Sequence, residues 1–149
     1  MDSDILWMEK ALELARQASE KGEVPIGAIL IKDDTCVAAA HNLREQSGNP
    51  IAHAEMLAIQ EASQKLGNWR LTDTTLYVTL EPCPMCAGAI VLARIPKVVF
   101  AADDPKAGAA GTIYNILQDE RLNHQVELVR GVCAEESSVL LKSFFKNRR

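Results

Sequence analysis

The sequence predicts an α/β protein of three layers, in which helices cover both faces of a five-stranded mixed sheet. Short apolar runs, several of them rich in β-branched residues, alternate along the chain with longer segments of helical periodicity. Only a short polar turn separates the first two runs, which predicts an antiparallel hairpin, whereas helical segments separate the later runs. The 149 residues suit one domain over residues 1–149, because two independent cores would need a longer chain.

The first part of the chain supplies the hairpin and the helices on either side of it. Apolar residues recur at steps of three and four over residues 4–21, which predicts an amphipathic helix. Residues 24–31 and 36–41 are short and apolar, so they predict the two strands of the hairpin. Residues 43–49 are polar and predict a loop, and a second helix is expected over residues 52–66, where a glycine follows.

The second part of the chain continues the alternation of strands and helices. In chain order, the predicted elements are a strand at 74–80, a helix at 83–94, a strand at 97–102, a loop at 103–111, a short helix at 112–118, a strand at 126–132 and a helix at 134–147. The helix that starts at residue 83 is apolar on every side across residues 87–93, so it must be covered on more than one face.

Composition and charge exclude several classes of function. The chain has 16 basic and 20 acidic residues and a formal net charge of −4, which argues against coating nucleic acid by bulk charge. Basic residues are concentrated at the end of the chain, where residues 142–149 include four of them and no acidic residue. No apolar run reaches the roughly 18 residues of a membrane span, and the acidic amino terminus is unlike a secretory signal. A cytoplasmic protein without a membrane partner is therefore expected.

The four cysteines divide into two that are expected to be structural and two that are expected to be chemical. A protein without an export signal is kept in a reducing compartment, so no disulfide framework is expected. Cys36 and Cys133 lie in apolar, strand-like surroundings, and we expect both to be small buried core residues. Cys83 and Cys86 form a Cys-Pro-Met-Cys motif, whose spacing suits either metal binding or redox chemistry.

Two short motifs at the starts of predicted helices carry the chemistry. One holds His53 and Glu55, and the other holds Cys83 and Cys86. Each motif alone is weak, but together they supply three zinc ligands and one carboxylate, and three protein ligands with an open fourth position are typical of catalytic zinc. A helix N-terminus favours the thiolate form of cysteine, and Glu55 is close enough in sequence to His53 to act as a base. A closed structural zinc site and a redox dithiol remain alternatives.

Longer segments around these motifs resemble a known family. The segments that carry the resemblance are, in chain order, 40–45, 51–57, 76–89, 98–106, 108–111 and 140–145. With the two motifs they resemble the zinc-dependent nucleoside deaminases, and more closely the bacterial tRNA adenosine deaminases. The short motifs carry the likeness to the superfamily, and the longer segments carry the likeness to the tRNA enzymes.

This resemblance implies a fold, a cofactor and a reaction. The expected fold is cytidine-deaminase-like, in a homodimer that holds one Zn²⁺ per subunit on His53, Cys83 and Cys86. The expected reaction converts adenosine to inosine at the wobble position of a tRNA anticodon loop. Zinc-bound hydroxide attacks C6 of the adenine, and Glu55 carries protons from the water to N1 and to the departing ammonia. An anticodon base is already unpaired, so moving it into a pocket costs little.

Four residues are expected to contact a tRNA anticodon stem-loop, and for Asn42 and Asn123 the expectation comes from the same resemblance. Asn42 is expected to bind the target nucleoside, and Asn123 to lie near the RNA. Asp104 is the most informative, because a carboxylate repels phosphate but can accept a hydrogen bond from a ribose 2′-OH, which distinguishes RNA from DNA. Lys106 and the basic tail are expected to contact phosphates. Each of these residues also fits a purely local role, such as a turn amide or a solvated surface charge.

Three other functions remain open at the level of sequence. A deaminase of a free base or nucleoside, such as cytosine, cytidine or guanine, would use the same zinc and glutamate. A binding module held together by structural zinc would not depend on Glu55. A thioredoxin-like oxidoreductase would need a titratable dithiol and no metal.

Overall fold

The computed structural model describes residues 2–147, which form five helices and five strands. In chain order they are α1 (Asp2–Glu20), β1 (Gly27–Lys32), β2 (Thr35–His41), α2 (Arg44–Ser47), α3 (Ala54–Leu66), β3 (Thr74–Leu80), α4 (Pro84–Leu92), β4 (Lys97–Ala102), β5 (Glu127–Arg130) and α5 (Ala134–Asn147). The bounds of β3, β4 and α5 are those predicted, and most others differ by a few residues at their ends. Arg148 and Arg149, the last bases of the predicted cationic tail, lie outside the described residues.

The strands form one mixed sheet with the order β2-β1-β3-β4-β5. The first strand, β1, is antiparallel to both of its neighbours, β2 and β3. The other pairs, β3 with β4 and β4 with β5, are parallel. The predicted hairpin and the predicted five-stranded mixed sheet are therefore confirmed. The parallel strands β3 and β4 end at the same edge of the sheet, which is where α4 and the loop after β4 begin.

Helices cover both faces of this sheet, as the three-layer prediction requires. Successive residues of a strand point to opposite faces, and β3 shows this clearly. Leu76 and Val78 belong to the cluster that includes the buried residues of α3 and α4, whereas Tyr77 belongs to the cluster that includes Met8 and Leu12 of α1. Leu140 of α5 packs against this second cluster. No helix within residues 2–147 is both long and apolar enough to cross a membrane.

The prediction of a short helix at 112–118 is wrong. This segment forms turns and a single bridge between Ala110 and Asn115. Its amide groups have partners that a helix would not provide, since Ile113 and Tyr114 both donate to the carbonyl of Gly108. β-Branched residues such as Ile113 are weak helix formers, so the tertiary partners determine the conformation.

The predicted loop at 43–49 contains a one-turn helix, α2, that sequence analysis missed. Its first amides are capped from a distance, because the buried Glu23 carboxylate accepts hydrogen bonds from the N–H groups of Glu45 at 3.0 Å and Gln46 at 2.7 Å. Gly48 follows in the left-handed conformation and ends the turn. A cap that lies more than twenty residues away along the chain leaves no local signal in the sequence.

The expectation that Cys36 is buried is wrong, and the one for Cys133 holds only in part. Cys36 is exposed because β2 is the edge strand of the sheet and pairs with β1 alone. Cys133 follows β5, has a positive φ of 58° and is half-buried against the α1 face of the core. Neither residue lies in the His53 cluster.

Gly27 marks a very close approach between β1 and α1 and gives a test of the packing. A Cβ at this position would lie 2.1 Å from the carbonyl oxygen of Ala11 and 2.9 Å from the amide nitrogen of Ala15. Gly27→Ala should therefore lower the free energy of unfolding by at least about 1–3 kcal/mol. Thermal unfolding compares this variant with the native protein, and equal midpoints would contradict this packing.

Candidate active site

The candidate site forms where α3 and α4 begin. His53 is the residue immediately before α3, and Cys83 is the residue immediately before α4. Cys86 lies in the first turn of α4, three residues after Cys83, so the two sulfurs face the same side. Pro84 at the first position of α4 has a fixed φ that suits a helix start. Both motifs therefore occupy the helix starts that the sequence predicted.

The three predicted ligands converge. The Nδ1 atom of His53 lies 3.6 Å from the Sγ atom of Cys83 and 3.5 Å from that of Cys86. All three ligand atoms lie within 4.8 Å of one another, and no other such group occurs within residues 2–147. Tetrahedral zinc with ordinary Zn–N and Zn–S bonds would separate nitrogen and sulfur by about 3.6 Å. The donor set and its spacing therefore fit a zinc ion.

The cysteines differ in their acidity. Hydrogen bonds from Cys86 and then from His53 lower the pKa of Cys83 to about 4, although burial opposes this change. The pKa of Cys86 is raised, because it donates to Cys83 and is desolvated near Glu55. Two thiolates and a neutral imidazole would balance the charge of a divalent cation, and three ligands leave the fourth position of zinc open.

Glu55 lies in the first turn of α3, beside the ligand cluster, and its side chain is 4% exposed. Burial disfavours the charged form and raises the pKa of Glu55 to about 7. A carboxyl group of this kind can take up and release a proton near neutral pH.

A cavity of about 1010 Å³ opens above this cluster. His53, Glu55 and Cys83 lie on its wall together with residues from several other parts of the chain. Those parts are the segment before β1, the segment that follows β2, the ends of β3 and β4, the loop 103–107 and α5. The arrangement places a metal-binding group and a buried carboxyl at one side of a space large enough for a nucleoside.

Three of the four predicted substrate contacts line this cavity. Asn42 is buried; its Oδ1 accepts a hydrogen bond from the Arg44 N–H at 3.1 Å, and its Nδ2 donates to the Val24 carbonyl at 3.5 Å. Asp104 is half-buried, and its Oδ1 accepts from the N–H groups of Lys106 at 3.0 Å and Ala107 at 3.2 Å. Lys106 is exposed. Asn42 and Asp104 therefore each stabilise a local turn and also line the cavity.

Asn123 does not line this cavity. It is exposed and lies a few residues before β5, at the end of the sheet where β4 begins. The neighbouring His124 ring contacts the Ile95 carbonyl at that same end. The contact of Asn123 with RNA stays a prediction.

The wall that α5 contributes to the cavity was predicted only in part, since the basic tail was expected to contact phosphates. Lys142 and Phe145 line the cavity, and Phe145 is 55% exposed. Arg44 also lines the cavity and was not singled out. The signal was present in the sequence, because two adjacent phenylalanines lie between two lysines near the end of α5, and surfaces that bind single-stranded nucleic acid combine basic and aromatic residues.

Comparisons with known proteins identify the family. A sequence model described as MafB19-like deaminase matches residues 2–149. The tRNA-specific adenosine deaminase of Bacillus subtilis is 58% identical over 149 residues, which cover 100% of this chain and 92% of that protein. The chain belongs to the tRNA-specific adenosine deaminase family. The resemblance seen in the sequence and the expectation of a hydrolytic deaminase are thereby confirmed.

Solved structures of deaminases share the fold of this family member. One comes from a study of A-to-I editing by tRNA:A34 deaminases at the wobble position of transfer RNA. It has a TM-score of 0.86 and 41% identity, and the match covers 90% of this chain and 97% of that one. A guanine deaminase from Bacillus subtilis has a TM-score of 0.65 and 40% identity, over 70% of this chain and 68% of that one. In a deaminase, the His53, Cys83 and Cys86 cluster is compatible with one zinc ion.

The ligand cluster predicts how metal content responds to mutation. Cys86→Ala should remove most of the zinc, because two protein ligands hold the ion far less tightly than three. Cys36→Ser is the matched control, since Cys36 is exposed and outside the cluster. Elemental analysis of the purified proteins should give about one zinc per chain for the native protein and the control. Full zinc content in Cys86→Ala would contradict the assignment.

Proposed function

We propose that this protein hydrolyses adenosine to inosine at the wobble position of a tRNA anticodon loop, as a single domain over residues 1–149. The observation that carries the proposal is the joint position of the ligand cluster, the buried Glu55 and the Asp104 loop around one cavity. Membership in the tRNA-specific adenosine deaminase family supports it. A cytoplasmic location, where tRNA is processed and thiols stay reduced, suits this site.

The reaction needs a nucleophile and a group that moves protons. Zinc held by His53, Cys83 and Cys86 would supply the first, because it acidifies water near neutral pH. Glu55 supplies the second: it accepts the proton that the water loses and delivers it to N1 of the adenine, then accepts the remaining hydroxyl proton and delivers it to the C6 amino group, which leaves as ammonia. Its buried position beside the ligands suits this role, since a general acid–base must lie within hydrogen-bonding reach of each atom it serves.

Asn42 is proposed to hold the target nucleoside. Its Oδ1 is engaged by the Arg44 N–H, so that side of the amide is fixed. The amide nitrogen carries two protons, and a long contact to the Val24 carbonyl uses only one of them. The second proton is available to an acceptor on a ligand in the cavity. The internal hydrogen bonds thus orient the amide for the substrate.

The rim of the cavity is proposed to bind the RNA backbone. Two backbone N–H groups hold the Oδ1 atom of Asp104, which leaves its other oxygen to accept a hydrogen bond from a ribose 2′-OH. Lys106, Lys142 and Lys146 lie around the same opening and suit contacts with phosphates. Such contacts make affinity fall with salt. A small substrate such as guanine would need none of these groups.

We also propose that a second copy of this chain covers α4 and forms a homodimer. The helix is apolar on every side, yet only one of its faces packs within the chain. Leu92 on the other face is 70% exposed, and Met85 and Ala89 are only half-buried. An apolar face of this kind is typical of an interface.

Glu55→Gln tests the proposed reaction. The change keeps the shape of the side chain but removes its ability to accept a proton, so kcat should fall by about 10²–10⁴ or more. The assay measures inosine formation in an anticodon stem-loop, with zinc content as the control, because that content should stay unchanged. Guanine and free adenosine are assayed in parallel. Rapid deamination of guanine with an untouched stem-loop would replace this proposal with a free-base deaminase.

Asp104→Asn tests how RNA is distinguished from DNA. The asparagine keeps an oxygen for the Lys106 and Ala107 amides and places an NH₂ group where the second carboxylate oxygen was. A hydrogen bond to a charged group contributes about 1.5–3 kcal/mol, so the native preference for a ribose over a deoxyribose next to the target should be roughly tenfold or more. The variant should lose most of this preference for ribose. An unchanged ratio of kcat/KM for the two hairpins would refute the contact.

Leu92→Glu tests the homodimer. A charge within an apolar interface is costly to bury, so the variant should sediment as a monomer at concentrations where the native protein is a dimer. Val139→Glu on α5 is the control, because this residue is similarly apolar and 56% exposed but lies on a different helix. Sedimentation of the two variants at the same mass would count against an α4 interface.

A further inference from the structure

Glu81 is a buried carboxylate that the reaction described above does not use. It lies just after β3, two residues before Cys83, and its side chain is 2% exposed. A buried charge is costly unless hydrogen bonds replace its water. Within residues 2–147, no basic side chain forms an ion pair with Glu81. Its partners must therefore be found among neutral donors.

Four donors from one loop surround this carboxylate. The Oε1 atom accepts hydrogen bonds from the Asp104 N–H at 3.0 Å and from the Thr112 hydroxyl. The Oε2 atom accepts from the Ala110 N–H at 2.9 Å and the Thr112 N–H at 3.1 Å. Burial alone would raise the pKa of Glu81, but the hydrogen bonds from Thr112, Asp104 and Ala110 outweigh it and hold that pKa below its ordinary value.

The loop that supplies these donors is closely fitted to the carboxylate. A Cβ on Gly108 would lie 2.5 Å from the Cδ atom of Glu81 and 2.6 Å from the Asp104 carbonyl oxygen, so only glycine fits there. On the other side, Arg130 holds Asp103 through a 3.2 Å ion pair and reaches the Ala110 carbonyl at 3.4 Å. Both ends of the loop are therefore fixed, and Glu81 lies between them.

We propose that Glu81 is a positioning residue for the RNA substrate, because it fixes the backbone of Asp104 and thereby the carboxylate that meets the ribose 2′-OH. The chain reaches the ligand Cys83 only two residues later, so one short segment fixes both the sugar contact and the metal site. Glu81 thus sets the distance between the sugar that is recognised and the base that reacts. This inference rests on the proposed function, specifically on the ribose contact of Asp104.

Glu81→Gln tests the inference with little change in shape. A glutamine offers one oxygen and one NH₂ group, so it can satisfy only one of the two donor pairs. The pair of rigid amides, Ala110 and Thr112, requires the oxygen, whereas the Thr112 hydroxyl can turn and accept from the NH₂. The Asp104 N–H is then left facing another donor. In the variant, the Asp104 N–H should lose its hydrogen bond, whereas the N–H groups of Ala110 and Thr112 should keep theirs.

The expected signature is a change in substrate binding that acts through Asp104. For the RNA hairpin, KM should rise on the order of tenfold, the typical effect of losing such a hydrogen bond. Zinc content should stay native, and kcat should change by less than about threefold. The preference for ribose over deoxyribose should fall towards that of Asp104→Asn. In the double variant, Glu81→Gln should add less than about twofold to Asp104→Asn, because the two changes remove the same interaction.

Two further variants keep the test independent of folding. Thr112→Val removes the hydroxyl but leaves all three backbone amides that donate to Glu81, including that of Asp104, so it should keep the native ribose preference. Glu81→Asp keeps the charge but is one methylene too short to reach the loop, so it should show the same KM effect as Glu81→Gln. It serves as the test if the glutamine variant does not fold.

The outcomes separate the inference from the function on which it rests. If Asp104→Asn reduces the ribose preference but neither Glu81 variant does, the positioning role is overturned and the proposed function stands. If the effects of Glu81→Gln and Asp104→Asn multiply, Glu81 does not act through Asp104, and the inference is likewise overturned. If Asp104→Asn leaves the preference unchanged, the ribose contact and the inference built on it both fail.

Discussion

Two helices that begin at the same point, α3 and α4, determine what this protein can do. The residue before each helix start is a candidate metal ligand, and the packing of α3 and α4 on one face of the sheet brings His53 to within 3.6 Å of two sulfurs from a distant part of the chain. The same packing buries Glu55, two residues after His53 in the first turn of α3. If either helix shifted along its axis by one residue, about 1.5 Å, the ligand spacing would no longer suit zinc.

A second constraint recurs around the cavity: buried carboxylates hold the backbone of segments that line it. Glu23 caps α2, next to Asn42 and Arg44, and Glu81 holds the loop that carries Asp104. Each carboxylate replaces the hydration of backbone amides with fixed acceptors. Loops held in this way can present polar groups in one orientation, which substrate recognition requires.

Elements that depend on local interactions were predicted correctly from the sequence, whereas elements that depend on contacts between distant parts of the chain were not. The strands β3 and β4 and the helix α5 were predicted with correct bounds, because their signals are periodic and local. The helix α2 and the turns at 112–118 were missed, because Glu23 and Gly108 act on them from outside the segment. The ligand set was predictable from residue types and spacing, whereas the cavity wall of α5 depends on how the layers pack. The exposure of Cys36 follows from the strand order, which the alternation of elements does not determine.

A crystal structure of the zinc-loaded protein, with the anomalous signal recorded at the zinc edge, tests the central claim most directly. We expect one zinc ion about 2.0–2.3 Å from the His53 nitrogen and the sulfurs of Cys83 and Cys86, with its fourth position open to the cavity and facing Glu55. A fourth protein side chain bound to the zinc, or a zinc ion held at another place, would contradict the account.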